Sequence, residues 1–277
     1  MKTQFLLDKA LTGFRERDAA GASKWFDYPF FALSNETTLM VNCAADMQAA
    51  LGCLIESTQP LGLVDLEKIL ISEETVGPGL ILANCQTRLV SDDQQRFTDT
   101  RTEYIVVRNT ENGPRFAASL NLFGGHIDLS ALGTPVSSAS SAASPAALVD
   151  MYADAIRSTD MAALGKTLEF PATAISGQQT RITPDFDQYL AYATQLADLS
   201  RKSGMSLSRV ETGAPRAVGS DLVLAPITLH MTHEQHGPLQ PFAQLLCLRI
   251  GMDSVTCAVV INALGETLAK LSLRPIK

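Results

Sequence analysis

The residues best placed to do chemistry stand together in "TDTRTEYIVVR", Thr98 to Arg108. This stretch reads as a strand, and strand side chains alternate between two faces. One face carries Asp99, Arg101 and Glu103 side by side, followed by Ile105 and Val107. An arginine between two carboxylates could polarise a ligand hydroxyl, carbonyl or carboxylate, or position a water. Burying such a row requires that its charges pair. The same residues also read as an exposed salt-bridge row at the beginning of a strand, and both readings stay open. The opposite face carries Thr100, Thr102, Tyr104, Val106 and Arg108; its closing arginine is expected to reach solvent or another domain.

Other chemistry-bearing residues are less persuasive. "HMTHEQHG" holds His230, His233 and His236. On a helix they would share a face and suit a metal, but Gly237-Pro238 follows. A strand end and turn are expected, which would scatter the imidazoles; no metal site and no cofactor are expected. His126, in "FGGHIDL", follows a glycine turn and reads as a surface residue. The "GKT" at Gly165 completes no phosphate loop, because Asp160 stands where the earlier glycine belongs. No GxSxG nucleophile elbow occurs.

The 277 residues suffice for one large domain or two of about 130 residues each. A formal net charge of −7 argues against nucleic acid or an anionic membrane as the main partner. No apolar run approaches the ~18 residues that span a bilayer. Asp8 and Lys9 interrupt the N-terminal apolar patch, so it does not read as a signal peptide, and a cytoplasmic location is expected. The 5 cysteines lack close CxxC spacing and are expected to be reduced and buried as small hydrophobes.

The elements that must position these residues are written twice. "WFDYPFFALS" from Trp25 and "TLEFPATAIS" from Thr167 share a cadence, with 171 − 29 = 142 for the prolines and 176 − 34 = 142 for the serines. The same offset, 142, aligns Leu6 with Leu148, Asp18 with Asp160, and Val76-Gly77 with Val218-Gly219. After a one-residue deletion it becomes 141 and aligns Arg108 with Arg249 and Asn121 with Asn262. Shared register with preserved apolar pattern identifies a tandem duplication. The copies are expected at 1–132 and 146–277, joined by a flexible Ser/Ala-rich linker at 133–145. Ser144 and Pro145 suit the N-cap and first turn of the next helix.

Each copy reads alike. A first helix presents Leu7, Leu11 and Phe14, matched by Val149, Ala153 and Ile156. A second, short helix follows Asp18 or Asp160, both good N-caps. Pro29 or Pro171 opens a short strand expected at a sheet edge, since proline cannot donate to a ladder. A third helix carries Met47, Leu51 and Leu54, matched by Tyr189, Ala193 and Leu196. Four strands follow, near 63–72, 80–90, 98–108 and 115–122, with counterparts near 205–211, 221–232, 241–250 and 255–262. Helices first, then an antiparallel meander, gives an α+β class.

This order, with these lengths and spacings, resembles the nuclear-transport-factor-two-like superfamily, which includes the SnoaL-like proteins. Another sandwich of helices on an antiparallel sheet fits the same order. The resemblance implies two tandem cone-shaped domains, each with three N-terminal helices packed on a curved, mostly antiparallel sheet, and a pocket at the open end. It places the face of Asp99, Arg101 and Glu103 inside the first cone; the second copy has Gln240, Phe242 and Gln244 there. It sets Trp25, Tyr28, Phe30 and Phe31 near the first pocket, as ligand contacts or as core filling. Members of the superfamily pair through outer sheet faces. The apolar outer strands here imply an intrachain pseudo-dimer, with further homo-oligomerisation open.

The family's chemistry fits poorly. The isomerase base would fall near Leu33, or Ile175 in the second copy, and neither accepts a proton. The Asp–Arg–Asp relay of epoxide-hydrolase-like members is matched only by residues of one strand. Three functions are therefore expected of this sequence. The first is binding of a small, largely apolar molecule in a cone pocket, with Phe242 and Gln244 as second-copy contacts. The second is a SnoaL-like lyase, isomerase or hydrolase using Arg101 with Asp99 or Glu103. The third is a non-catalytic interaction or scaffold role.

Overall fold

Residues 2–34, 38–58, 63–91, 101–121, 137–138, 142–251 and 254–262 are described by a computed structural model. They form an α+β protein with two mixed sheets. The chain divides into two compact units, Met1–Thr75 with Gly79–Pro135, and Val76–Pro78 with Val136–Lys277.

The first unit runs α1 (Lys2–Arg15), α2 (Ala19–Ser23), β1 (Phe26–Leu33), β2 (Thr38–Val41), α3 (Ala44–Thr58), β3 (Leu63–Gly77), β4 (Leu80–Ser91), β5 (Arg101–Thr110) and β6 (Gly113–Leu120). Its sheet order is β2-β1-β6-β5-β4-β3. β1 lies parallel to β6, whereas β1/β2, β4/β5 and β5/β6 are antiparallel.

The second unit contains β7 (Ser137–Ser138), α4 (Pro145–Ser158), α5 (Met161–Lys166), β8 (Leu168–Ile175), β9 (Thr180–Thr183), α6 (Phe186–Lys202), β10 (Met205–Thr212), β11 (Arg216–Ala217), β12 (Leu222–His233), β13 (Gly237–Pro238), β14 (Phe242–Ile250) and β15 (Val255–Ile261). Its main path is β10-β12-β14-β15-β8, with β9 also on β8. Here the parallel pair is β15 with β8. No described helix is long and apolar enough to cross a membrane.

Local chemistry explains the helix starts. Asp18 accepts from the Gly21 N–H at 2.8 Å, Ser144 from Ala147 at 3.2 Å, Asp160 from Ala163 at 2.9 Å and Asp185 from Gln188 at 2.9 Å. Each removes one orphan donor from a helix N-terminus. Gly165, in the "GKT", has a packing role. A Cβ there would lie 2.8 Å from Phe186 Cε2, so only glycine lets α5 close on α6.

Two expectations are corrected. Pro29 and Pro171 do not open edge strands; β1 lies between β2 and β6, and β8 between β9 and β15. The register steps from Phe26↔Phe116 to Phe31↔Ala118, and from Leu168↔Cys257 to Thr173↔Val259. These bulges take each proline off the ladder, which removes the objection to an interior position. Arg108 and Arg249 do not reach solvent; they are 2% and 8% exposed. Arg108 Nη1 pairs with Asp27, and Arg249 Nη1 lies 3.3 Å from Glu169. Burial lowers the Arg108 pKa, and Asp27 opposes that shift. The acids preceding each proline thus tie β1 to β5 and β8 to β14, across the intervening strand.

Removing Asp27 would take from the buried Arg108 guanidinium the carboxylate it pairs with. Asp27→Ala should destabilise the protein by about 3 kcal/mol in urea unfolding, and Asp27→Ala/Arg108→Met by clearly less. Equal losses in the two variants would show that the pair carries no such role.

Candidate functional site

The charged row of β5 resolves unevenly. Asp99 lies outside the described residues. Arg101 opens β5, half-buried, paired in register with Thr87. Glu103 is 1% exposed and held on every side. Its Oε2 accepts from Lys68 Nζ and, at 2.7 Å, from Thr87 Oγ1; its Oε1 accepts from Ser119 Oγ. Lys68 Nζ lies 3.4 Å from Thr87 Oγ1 as well. Such closure leaves both Glu103 oxygens occupied by donors from the protein itself.

Glu103, Lys68 and Ser119 border a small cavity of about 160 Å³ under α1 and α3. Three phenylalanines fill most of the space around it. Phe26 meets Phe30 edge-on at 4.9 Å and Phe116 at 5.4 Å. All three line the cavity, with Ile105 on its floor.

The second unit holds a larger cavity, about 460 Å³, in the corresponding place under α4 and α6. Leu168, Ala172 and Cys257 line it. They stand at offsets 142, 142 and 141 from Phe26, Phe30 and Phe116, and the register pairs Leu168 with Cys257 as it pairs Phe26 with Phe116. Replacing three aromatic rings by a leucine, an alanine and a thiol removes the filling, and interiors do not collapse freely into such space. Tyr152, Tyr189 and Tyr192 stand where the first unit has Ala10, Met47 and Ala50, so the aromatic rings of this cavity come from the helices and bring hydroxyls to the wall. Burial raises the pKa of Tyr152 and Tyr189, so both phenols keep their protons at neutral pH.

Gln244 is the decisive polar group. It lines this cavity, is 6% exposed, and its Oε1 has no hydrogen-bond partner. Gln244 stands where the first unit has Glu103; Cys85↔Glu103 in one sheet corresponds to Ile227↔Gln244 in the other. The partners of Glu103 have been replaced. Lys68, Thr87 and Ser119 correspond to Val210, Leu229 and Val260. An unsatisfied buried acceptor costs about 1–3 kcal/mol unless something from outside the chain donates to it.

Among the remaining residues expected at a ligand, Phe30 lines the first cavity. Trp25 and Tyr28 pack against the first core without lining it, and Phe242 does the same in the second. Tyr28 donates to the Ser23 carbonyl at 2.8 Å, and Arg115 sits over Trp25 at 5.6 Å. Phe31, 1% exposed, lies on the opposite strand face from Phe30. The tyrosines, Ala172 and Cys257 were missed. Their signal was available in the two copies, where large residues face small ones at matched positions.

His230 lies 3.2 Å from Glu211, and His233 stacks on His236 at 4.5 Å. No group of three described metal-ligating side chains converges. His126 lies outside the described residues. Cys85, Cys247 and Cys257 are buried, but Cys43 and Cys53 are exposed at and on α3, correcting the expectation of five buried thiols.

Burial, reinforced by Glu103, pushes the Cys85 thiol up to about 12; burial does the same for Cys247 and for the Tyr28 phenol. The folded state therefore keeps protons that the unfolded chain releases. The stability from these groups is complete below the unfolded values and is lost as pH rises towards 12. Urea midpoints should hold to about pH 8 and fall by about pH 11, less steeply in Cys85→Ala/Cys247→Ala. An unchanged slope in that variant would remove the thiols as the cause.

No protein-family model matches the chain. No curated protein matches it. Solved structures do. A nuclear-transport-factor-two-like protein of unknown function from Shewanella oneidensis is 14% identical, over 43% of this chain and 94% of its own, at a TM-score of 0.34. A domain of unknown function with a cystatin-like fold from Nostoc punctiforme is 15% identical, over 42% and 70%, at 0.33. A ketosteroid isomerase-like protein from Erwinia carotovora is 15% identical, over 42% and 89%, at 0.34. The solved structures that this chain resembles thus include nuclear-transport-factor-two-like and ketosteroid isomerase-like proteins.

Proposed function

We propose that the second unit binds a small, largely apolar molecule in its cavity of about 460 Å³. The observation that carries this reading is the unpartnered Gln244 Oε1, buried in a mostly apolar wall. Small-molecule sites combine those two features, an apolar cavity of roughly 300–1,000 Å³ and few, placed polar groups. On this reading the chain is a tandem pair of cone-shaped domains. The first is packed by phenylalanines and the second is opened for a ligand. The apolar outer strands, such as Leu80, Leu82 and Val106, further support pairing of the two domains within one chain.

Lyase, isomerase or hydrolase chemistry through Arg101 and Glu103 is the weaker reading, because both Glu103 oxygens already accept bonds from the protein. A purely structural role is weaker too, since it leaves the Gln244 acceptor without use.

A thermal-shift screen against apolar carboxylic acids, ketones and fused-ring compounds tests the proposal. A ligand at 100 times its Kd should add about 2.7 kcal/mol. Ala172→Phe, which copies Phe30 of the first unit, should abolish the shift. A saturable shift that survives Ala172→Phe would place binding elsewhere.

A further inference from the structure

Gln244 lies on the sheet side of the second-unit cavity. Its strand, β14, runs between β12 and β15, and Leu229 and Val260 of those strands line the cavity with it. The side chain is buried and its Oε1 is without a hydrogen-bond partner. That atom can only accept, so whatever completes it must donate. The first unit shows what has been withdrawn. Glu103, at the matched position, takes hydrogen bonds from Lys68, Thr87 and Ser119. Val210, Leu229 and Val260 stand in their places and carry no side-chain donor.

The rest of the wall limits what an incoming donor can be. No aspartate or glutamate lines the cavity among the described residues. Tyr152 from α4 and Tyr189 from α6 line it, and burial keeps both phenols protonated at neutral pH. An ammonium group would lose its hydration there and meet no carboxylate in exchange. A carboxylate has no proton to give to Oε1, and neither has a ketone or an ether. A neutral hydroxyl meets the demand. It donates to Gln244 and can accept in turn from a tyrosine phenol of the same wall.

We propose that the ligand is a neutral apolar alcohol or phenol whose hydroxyl donates to Gln244 Oε1. Its apolar body lies between the tyrosines of the helices and the small side chains of the sheet, Ala172 and Cys257. This assignment rests on the second-unit cavity being a ligand site. It adds the chemical group that the site selects.

Fluorescence titration of the full chain at neutral pH with three biphenyl probes tests it. The probes are para-hydroxybiphenyl, its methyl ether, and para-aminomethylbiphenyl, which carries an ammonium. The phenol should bind tightest, with about a tenfold loss on methylation and at least as large a loss for the ammonium. Gln244→Met keeps the shape and removes the amide acceptor. It should weaken the phenol about tenfold and leave the ether unchanged, so that the two bind alike. An ether or ammonium that binds as tightly as the phenol, with binding abolished by Ala172→Phe, would overturn the hydroxyl assignment and leave the cavity as a binding site. A phenol preference that persists in Gln244→Met would do the same. Binding that ignores Ala172→Phe, or no binding by any probe, would overturn both.

Discussion

A sheet with helices over one face must fill the layer between them, and the two units draw that filling from different side chains. Phe26 and Phe116 face each other across the parallel pair β1/β6, and Phe30 closes over Phe26. Their counterparts Leu168, Cys257 and Ala172 keep the same register on β8 and β15. The backbone is held by its hydrogen bonds and by the buried Asp27–Arg108 and Glu169–Arg249 pairs. It cannot sink far enough to recover the lost contacts. The space left between sheet and helices is about 460 Å³ in one unit against about 160 Å³ in the other.

Polar groups follow the same division. In the first unit a carboxylate sits over the small cavity, and burying it is tolerable only because Lys68, Thr87 and Ser119 all donate to it. The second unit drops the charge and the donors together. A glutamine without its charge needs less compensation, but it still presents an acceptor, and Val210, Leu229 and Val260 supply no donor. Exchange of Glu103 for leucine at that position would have finished a dry core. The glutamine instead leaves a buried acceptor unpaired.

Much of the element order was legible in sequence because it rests on local rules. Asp18, Asp160 and Ser144 are N-cap types, and each caps. The offsets 142 and 141 predict the register that pairs Leu168 with Cys257. Asn121 and Asn262, matched in sequence, take the same positive φ of 64° and 58° at the ends of β6 and β15. What was not legible depended on tertiary partners. An arginine closing a strand gives no sign that it is buried until Asp27 is seen beside it. Glu103 looked like a reactive carboxylate because its three partners come from β3, β4 and β6, far apart in the chain. The pocket itself and Gln244 in its wall are legible, but not which copy opens into the larger cavity.

The two units, matched at offsets 142 and 141, offer each other a reference state. At matched positions the first unit shows what a filled and satisfied interior looks like on this backbone. Relative to that state, the second unit gives up aromatic packing and leaves a buried amide acceptor unpaired, each a cost of the order of kcal/mol. Both costs fall at one place, in the wall of one cavity, beside a guanidinium stacked on Tyr192. Their convergence is what a ligand could offset, since a molecule entering the cavity restores contacts and the missing hydrogen bond in a single step.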